Sequence, residues 1–365
     1  MKQTLDHLDT PAVVVDLDVM ERNIAAMAVY ARNHKLALWP HTKTHKSPEL
    51  AQMQMAAGAA GITVAKVGEA EVMADAGFRD ILIHYPVVGT EKCERLAKLA
   101  NQANISVALD SIESAKQIAS AAKRYGATIG VLIELDVGLH RTGVLTATEA
   151  VKLGQQIMKL RGVKLVGLSY FPGHIKMRPS LQKPALQTVS DFLDDVLARF
   201  GKAGLPTDRV SGGSTPTARQ SHLVRRLTEI RPGAYIFYDR NSILEGCATE
   251  ADCALRIVTT VISTSVAGRA MTDAGSKTLF SDRATGGAPG FGLVVGHPDV
   301  EMIALNEEHG HLDVSKCKHR FRVGERLTVI PNHVCPCVNL HDTIYGHSRG
   351  VIEREWRVVA RGRVR

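Results

Sequence analysis

Eight short runs rich in β-branched residues recur over the first two thirds of this 365-residue chain, and stretches with helical periodicity separate them. This alternation is typical of a parallel sheet whose strands are joined by crossover helices. Eight such strands predict a closed (β/α)8 barrel of the TIM type. The predicted strands lie near residues 36–40, 61–66, 80–85, 105–110, 129–136, 163–171, 208–213 and 228–237.

The sequence changes character after residue 245. The segments ALRIVTTVISTSV, ERLTVIPNHV and EREWRVVARGRVR are β-rich, polar turns separate them, and no long helix is evident. We therefore predict a second, mostly antiparallel β domain over residues 246–365, joined by residues 1–10. The barrel domain is predicted over 11–245, and it includes an extra strand and helix that precede the first barrel strand.

The formal net charge of +8 would suit an anionic ligand, which includes nucleic acid as well as a phosphorylated cofactor. The densest basic run is KCKHRFR at 316–322, where basic residues alternate with other side chains. That alternation favours the solvent-facing side of a strand, and the absence of interleaved aromatic residues argues against nucleic acid.

The first residues place acidic side chains on both sides of a short apolar run, so they do not resemble a secretory signal peptide. No apolar stretch reaches the length that a bilayer crossing needs. We therefore expect a cytoplasmic protein. In that setting the six cysteines are expected as thiols or metal ligands rather than as a disulfide framework.

A cluster of basic and imidazole groups follows the first predicted barrel strand in the segment PHTKTHK, which contains His41 and Lys43. Catalytic groups of such barrels lie at the carboxyl ends of the strands. A lysine close to other cations and partly removed from water loses its proton more easily, as a Schiff base with an aldehyde cofactor requires. Taken alone, such a segment is more often a loop at the start of a helix with ordinary surface lysines.

One glycine-containing turn follows the seventh predicted strand, and a second lies in the eighth. The first is SGGSTPT at 211–217, and the second is RPGAY at 231–235. Glycines let backbone amides approach a ligand, hydroxyls donate to phosphate oxygens, and phosphate sites recur at these ends of barrels. One such turn is weak evidence, whereas two at these positions favour a phosphate site.

A possible metal-binding pair, His333 and Cys335, follows the strand ERLTVI. Residues two apart on an extended chain point to the same side, and imidazole with thiolate favours Zn²⁺ or a similar borderline metal. Cys337 would share their face, either as a third ligand or as a neighbour. A His-x-Cys pair taken alone is more often incidental than a metal site.

Two further segments place functional groups at the ends of strands. YFPGH at 170–174 brings His174 toward the barrel mouth, where an imidazole could act as a general base or a metal neighbour. DVGLHRTG at 136–143 brings Arg141, which could contact the ring of a cofactor or its phenolic oxygen. A structural role for either side chain remains an alternative.

Together these segments resemble the metal-dependent fold-type III pyridoxal phosphate (PLP) enzymes, the group of D-threonine aldolase and D-serine dehydratase, whose barrel is related to that of alanine racemase. The resemblance covers nearly the whole chain. The matching segments are DTPAVVVDLD, PHTKTHK, ELDVGLHRTG, SGGSTPT, RPGAYIFYD, DAGSKTL, EEHG and PNHVCPCVNLHD. As an ordered set they are highly specific.

The resemblance implies a role for each candidate residue. Lys43 corresponds to the Schiff-base lysine, and His333 with Cys335 corresponds to the ligand pair of a divalent metal, Zn²⁺ or Mn²⁺/Mg²⁺. Trp39 stands where an arginine is common in the family, which puts the contacts at that edge in doubt. The phosphate cradle and the remaining cofactor contacts correspond to Gly212, Gly213, Ser214, Thr215, Gly233 and Ala234, and to His41, Arg141, Tyr170 and Tyr235.

The implied reaction is cleavage of a D-β-hydroxy-α-amino acid. In the aldolase path His174 or a metal-bound water removes the hydroxyl proton, and glycine and an aldehyde result. In the dehydratase path, with D-serine or D-3-hydroxyaspartate as substrate, Lys43 removes the Cα proton, and a keto acid and ammonia result. Cys335 favours the dehydratases because many aldolases carry aspartate there, whereas VNLHD at 338–342 resembles the aldolases. We favour the aldolase.

Two other functions remain as alternatives. A PLP-binding carrier without turnover would resemble the single-barrel relatives, but those lack the second domain. An alanine racemase would need an opposing catalytic tyrosine, for which no segment is evident. By analogy with the family we also expect a homodimer that acts on a small molecule.

Overall fold

The structure is a computed structural model that describes residues 3–365, and its strands and helices follow one another in the order that the sequence predicts. The strands are β1 Ala12–Asp16, β2 Ala37–Leu38, β3 Ile62–Val64, β4 Asp80–Ile83, β5 Asn104–Leu109, β6 Ile129–Leu135, β7 Val163–Tyr170, β8 Arg209–Gly212, β9 Glu229–Ile230, β10 Leu255–Ser263, β11 Arg269–Thr272, β12 Gly292–Val294, β13 Glu301–Leu305, β14 Gly310–Asp313, β15 Arg326–Pro331, β16 Thr343–Ser348 and β17 Val351–Arg357. The α-helices are α1 Leu17–Asn33, α2 Pro48–Ala56, α3 Val67–Asp75, α4 Thr90–Leu99, α5 Ile112–Arg124, α6 Ala147–Ile157, α7 Lys183–Lys202, α8 Arg240–Leu244, α9 Ser276–Leu279 and α10 Val334–Val338.

Backbone contacts divide these elements into two units. The barrel unit consists of Ala26–Lys43, Pro48–Gly233 and Gly362–Arg365. The β unit consists of Thr44–Ser47, Ala234–Arg361 and the described part of the first 25 residues. Each unit has its own sheet.

The barrel unit contains the predicted (β/α)8 barrel. Its eight strands, counted within residues 3–365, are parallel and pair in the order β2-β9-β8-β7-β6-β5-β4-β3. A parallel bridge between His41 and Thr63 joins the two ends of this order, and the Thr63 amide donates to the carbonyl of Pro40 at 2.8 Å. All eight predicted strands are therefore confirmed, and the sheet closes on itself.

The helices of the barrel unit begin where the sequence provides caps. Ser111 accepts a hydrogen bond from the amide of Ser114 at the start of α5. Thr146 and Glu149 form a reciprocal capping box at the start of α6. Such caps satisfy amides that have no partner within the helix, so these side chains fix where each crossover helix starts.

The barrel interior contains both apolar and charged side chains. Trp39 packs with Leu82 and Leu132, and the guanidinium of Arg209 lies 4.6 Å from the centre of its ring. Trp39 is therefore a core residue here. The buried carboxylate of Glu229 accepts two hydrogen bonds from Arg209, at 2.8 and 3.0 Å, which form a bidentate ion pair.

The β unit contains the predicted second sheet. Among the described residues this sheet has nine strands in the order β11-β14-β13-β12-β15-β10-β1-β16-β17. Because β10 pairs with both β15 and β11, six of the strands close into a barrel. Apart from the parallel pair of β1 and β16, the pairings are antiparallel, as predicted.

Three local predictions differ from the structure. Strand β1, expected with the barrel as part of 11–245, pairs with β10 and β16 in the β unit, because ladder hydrogen bonds to distant strands decide its sheet. The eighth barrel strand was predicted to reach 237 but ends at Ile230, since Pro232 has no amide hydrogen to donate. The basic run 316–322 forms the turn between β14 and β15 rather than a strand.

The remaining sequence expectations concern membrane segments and disulfides. No helix in the described part of the chain is long and apolar enough to cross a membrane. None of the six cysteines, all of which lie in that part, forms a disulfide.

We predict that the buried ion pair in the barrel stabilises the fold. Replacing Glu229 with alanine leaves Arg209 without its buried partner, and loss of one partner of a buried pair costs about 3–5 kcal/mol. Urea unfolding should show this decrease in the free energy of unfolding. Asp195→Ala is the matched control, because Asp195 and Arg199 form an exposed pair that contributes little. Equal destabilisation by the two variants would contradict the prediction.

Candidate active site

Lys43 lies on a 3-10 helix, Thr42–Thr44, directly after β2. Two hydrogen bonds hold the start of this segment against neighbouring strand ends: the amide of His41 donates to Pro232 at 3.0 Å, and the hydroxyl of Thr42 donates to the carbonyl of Thr63 at 3.1 Å. The lysine is therefore placed at the carboxyl-terminal rim of the barrel, as its sequence position predicts.

A cavity of about 230 Å³ opens beside Lys43 in the barrel unit. It is lined by His41, Lys43, Ala65, His84, Tyr85, Pro86, Glu134, Arg141, Thr142, Phe171 and Arg231. Of the predicted site residues, Lys43, His41 and Arg141 thus line one cavity. Five strand ends contribute the others, as expected for a site at the rim of a barrel.

Two buried imidazoles line this cavity. Burial, together with the positive charges of neighbouring lysine and arginine side chains, lowers the pKa of both His41 and His84 well below the usual value, so both rings are neutral at pH 7. Within residues 3–365, neither Nδ1 of His41 nor Nε2 of His84 has a hydrogen-bond partner. Buried polar atoms without partners are uncommon and costly, which indicates that a polar ligand satisfies them.

Arg231 connects the cavity to the end of β8. Its guanidinium is buried and donates to the hydroxyl of Ser211 at 2.8 Å and to the carbonyl of Tyr170 at 2.5 Å. Burial lowers the pKa of Arg231 to about 10, against the opposing effects of Glu134 and Glu229, so the side chain stays charged at neutral pH. The cavity therefore holds a fixed positive charge.

Arg141 supplies a second cation. Its guanidinium lies 4.8 Å from the centre of the Phe171 ring and 4.0 Å from the carboxylate of Glu134. Burial raises the pKa of Glu134, although Thr142 and the two arginines oppose this. Lys43 and the two arginines make the cavity suitable for an anionic ligand.

The residues predicted to hold a phosphate, called the cradle here, lie at and just beyond the ends of β8 and β9. Gly213 has a φ of +85°, a conformation that favours glycine. Ser214 is held by Thr217, whose hydroxyl lies 3.0 Å from that of Ser214. The hydroxyl of Thr215 accepts a hydrogen bond of 3.2 Å from the amide of Gly233, so the two glycine turns lie side by side.

Gly212 is required by a close approach of Tyr170. A Cβ on Gly212 would lie 2.1 Å from a ring carbon of the tyrosine, which is fully buried. Burial also raises the pKa of the Tyr170 hydroxyl. The ring thus packs against the cradle from β7.

His174, the proposed base, does not line the cavity. It lies exposed on the loop after β7, with its Nε2 about 3.1 Å from where a Cβ on Gly138 would lie. Burial lowers the pKa of His174 despite the nearby carboxylate of Asp136. Ala234 and Tyr235 are not among the residues that line the cavity; they begin a 3-10 helix of the β unit, in which Tyr235 is fully buried.

The predicted metal pair lies in the β unit. His333 precedes α10 and its Nδ1 lies 3.0 Å from a carboxylate oxygen of Asp282. Burial opposes protonation of His333, but Cys335, Asp239 and Asp282 outweigh it and raise its pKa to about 10. The same negative groups that favour a proton would favour a divalent cation.

The surroundings of the pair fit a metal. A histidine ligand usually donates its second ring nitrogen to a carboxylate, as Nδ1 of His333 can to Asp282, which leaves Nε2 for the ion. The side chain of Cys335 lies within hydrogen-bonding reach of His333 and 3.2 Å from the hydroxyl of Thr44. Imidazole and thiolate are suitable ligands for Zn²⁺ and similar ions.

The predicted backbone of this segment was wrong in two respects. Cys335 is not on an extended strand two residues beyond His333; it lies in the first turn of α10. Residues two apart on an α-helix point to nearly opposite sides, so Cys337 does not share the face of the pair. Its buried thiol donates to the carbonyl of Thr278 at 3.2 Å, so Cys337 has a structural role.

Sequence reasoning missed several residues of the site. His84 and Glu134 lie at or just beyond the ends of β4 and β6, and Arg231 directly follows β9. A systematic search of all strand ends would have found these three. Asp282 carried no comparable signal, because its contact with His333 depends on the folded β unit.

Comparisons with known proteins agree with this architecture. Residues 15–241 match the family described as the alanine racemase N-terminal domain, and residues 254–347 match a serine dehydratase domain family. D-threonine aldolase from Arthrobacter sp. is 35% identical over 98% of this chain and 94% of its own length.

Two solved structures have nearly the same fold. D-threonine aldolase from Filomicrobium marinum has a TM-score of 0.92 and 33% identity and covers 100% of this chain and 99% of its own. D-threo-3-hydroxyaspartate dehydratase from Delftia sp. HT23 has a TM-score of 0.89 and 31% identity, with 98% and 99% covered. A variant of an enzyme with that name is described in a metal-free form.

The contact between Gly212 and Tyr170 gives a prediction on stability. Gly212→Ala should lower the free energy of unfolding by about 1–3 kcal/mol, because the added methyl group overpacks the tyrosine ring. In a Tyr170→Ala background the same substitution should cost little, since the ring is gone. Urea unfolding of the four proteins measures this coupling. An equal cost in both backgrounds would show that the ring does not pack there.

Proposed function

The chain belongs to the alanine racemase-like family that includes D-threonine aldolase, and on this premise we propose that it is a PLP- and divalent-metal-dependent lyase. It cleaves D-β-hydroxy-α-amino acids into glycine and an aldehyde. The observation that carries the proposal is the position of Lys43 in the wall of a cavity that also contains Arg141 and Arg231. A primary amine beside fixed cations suits a phosphorylated aldehyde and an amino acid carboxylate.

The residues present fit this cofactor. Lys43 would hold its aldehyde covalently, and Gly212, Gly213, Ser214 and Thr215 would hold its phosphate. His41 and His84 each offer a buried ring nitrogen without a partner in the described chain, and Phe171 offers an aromatic face. Fit to a phosphate is supported by the paired glycine turns, which the Thr215–Gly233 hydrogen bond holds together.

His333 and Cys335 would bind the metal, with Asp282 orienting the imidazole. The thiolate favours Zn²⁺ over the harder ions Mn²⁺ and Mg²⁺. When bound, the cofactor withdraws electrons from the bonds to Cα and the metal stabilises negative charge on the β-oxygen. The protein supplies orientation: Arg141 and Arg231 attract the substrate carboxylate toward Lys43.

The proton on the β-hydroxyl must leave for the Cα–Cβ bond to break. We propose His174 as its acceptor, because its lowered pKa keeps the imidazole neutral at pH 7. Its exposed position on the loop after β7 means that this role needs loop movement or an intervening water. Solvent polarised by a metal that His333 and Cys335 would hold is the other candidate for the base.

A second candidate function is a dehydratase of D-serine or D-3-hydroxyaspartate. Cys335 favours it, because many aldolases of this group carry aspartate at that position. In that reaction Lys43 would remove the Cα proton, and a keto acid and ammonia would form. Identity separates the two only slightly: it is 35% to a D-threonine aldolase over 98% of the chain and 34% to a D-threo-3-hydroxyaspartate dehydratase over 92%.

Product analysis distinguishes the two reactions. Purified protein with PLP and Zn²⁺ or Mn²⁺ should convert D-threonine and D-phenylserine to glycine and the matching aldehyde, and chelation should abolish this. L-threonine is the stereochemical control and should not react. Formation of 2-ketobutyrate from D-threonine, or of phenylpyruvate from D-phenylserine, with ammonia would replace the aldolase assignment with the dehydratase. Absence of turnover with these substrates and also with D-serine and D-3-hydroxyaspartate would contradict both and favour a carrier.

We predict that Asp282→Asn weakens metal activation selectively. Loss of a carboxylate that orients a histidine ligand typically costs 10–100-fold in metal affinity, so the metal concentration for half-maximal activity should rise by about that factor. Activity at saturating metal should fall much less. The control is Asp313→Asn, a half-exposed carboxylate of the same unit that pairs with Arg269. An unchanged activation curve for Asp282→Asn would remove this residue from the metal site.

A further inference from the structure

A second cluster of metal-ligating side chains lies in the β unit, apart in sequence from His333 and Cys335. It consists of His297, Asp299 and Cys317, whose ligand atoms all lie within 4.8 Å of one another. Among the described residues this is the one group of three or more His, Cys, Asp or Glu side chains with such spacing. No part of the proposed reaction uses it.

The fold brings these residues together from two separate loops. His297 and Asp299 lie in the turn after β12, where the His297 amide donates to Val294 at 3.2 Å and its carbonyl accepts from Val300 at 3.1 Å. Cys317 lies between β14 and β15, and its amide donates to Val314 at 3.0 Å. The two loops are separated in the sequence by β13 and β14, so the three side chains meet only because the β unit folds.

Neighbouring rings restrict the movement of His297. Its ring centre lies 5.0 Å from that of Phe321, which is buried, and 5.3 Å from that of His319. His319 is itself held by Glu325, with Nε2 and the carboxylate oxygen 2.6 Å apart. The imidazole of His297 is therefore partly ordered before any ligand binds.

The donor set matches a borderline divalent ion. Imidazole, carboxylate and thiolate bind Zn²⁺ at about 2.0–2.3 Å, which places the ligand atoms of a tetrahedral site about 3.3–3.8 Å apart. Because the ligand atoms already lie within 4.8 Å of one another, side-chain rotations that move each atom by about 1 Å would bring them to this spacing. A carboxylate and a thiolate together neutralise the charge of a divalent ion. This neutralisation is needed because the exposed, cationic Lys316 and Lys318 flank Cys317 and would repel the ion.

The thiol of Cys317 faces the carboxylate of Asp299. Partial burial and this carboxylate raise the pKa of Cys317, so without a metal the thiol keeps its proton and donates it toward Asp299. A divalent cation would displace that proton, as metal binding to thiols generally does.

We propose that His297, Asp299 and Cys317 form a second, structural metal site for Zn²⁺ or a similar borderline divalent ion. Water completes the tetrahedron. The ion joins the turn after β12 to the β14–β15 connection. It takes no part in turnover, so this site and the proposed active site can be tested independently.

Cobalt titration of the full-length protein tests the site. The Cys335→Ala variant, which lacks the other metal-binding thiolate, is stripped with a chelator and titrated with Co²⁺. We expect a near-ultraviolet cobalt–thiolate band that saturates at one equivalent and is bleached by Zn²⁺. Adding Cys317→Ser should abolish the band, whereas adding Cys247→Ser, which removes another half-buried thiol, should leave it unchanged.

A second variant and a second measurement distinguish loss of the metal site from misfolding of the Cys317→Ser variant. His297→Asn retains the thiol and should weaken cobalt binding at least tenfold. In the Cys335→Ala background Zn²⁺ should also slow tryptic cleavage after Lys316 and Lys318 several-fold, and Cys317→Ser should remove this protection. A missing cobalt–thiolate band in Cys335→Ala, a band that survives Cys317→Ser, or zinc binding without protection would overturn the proposal.

Discussion

Closure of a parallel barrel is the constraint on which the proposed active site depends. In a closed ring of parallel strands all carboxyl ends lie at one rim, whatever their separation in the sequence. The bridge between His41 and Thr63 completes that ring at the position where Lys43 follows β2. Groups from the ends of β4, β6 and β9 then join the lysine in one cavity. The barrel topology, more than any single contact, therefore determines which side chains meet in the cavity.

Electrostatics explains why this rim suits an anionic cofactor better than water. Arg231 is buried, yet its hydrogen bonds go to Ser211 and to a backbone carbonyl rather than to a carboxylate. His41 and His84 are buried, neutral and incompletely hydrogen-bonded within the described chain. Such groups cost stability in the absence of a ligand, and their concentration in one cavity is typical of functional sites.

The local sequence pattern predicts which segments form strands and helices, but it does not predict which strands pair with one another. The eight barrel strands are evident in the sequence because β-branched runs and helical periodicity report directly on local structure. The sheet to which β1 belongs is not evident, since the choice depends on pairing with β10 and β16 far along the chain. Likewise the sequence marks His333 and Cys335 as candidate ligands, but it does not show the helix that carries Cys335 and turns Cys337 inward. His84, Glu134 and Arg231 lie at predictable positions and only needed a search of every strand end.

The central claim is that the amine of Lys43 holds the aldehyde of the cofactor, and borohydride reduction followed by peptide mass mapping tests it most directly. The protein is loaded with PLP, reduced and digested, and the peptides are searched for the added pyridoxyl mass. We expect that mass on Lys43 and on no other lysine, Lys46 included. A label on another lysine, or no label on a protein that has bound the cofactor, would contradict it.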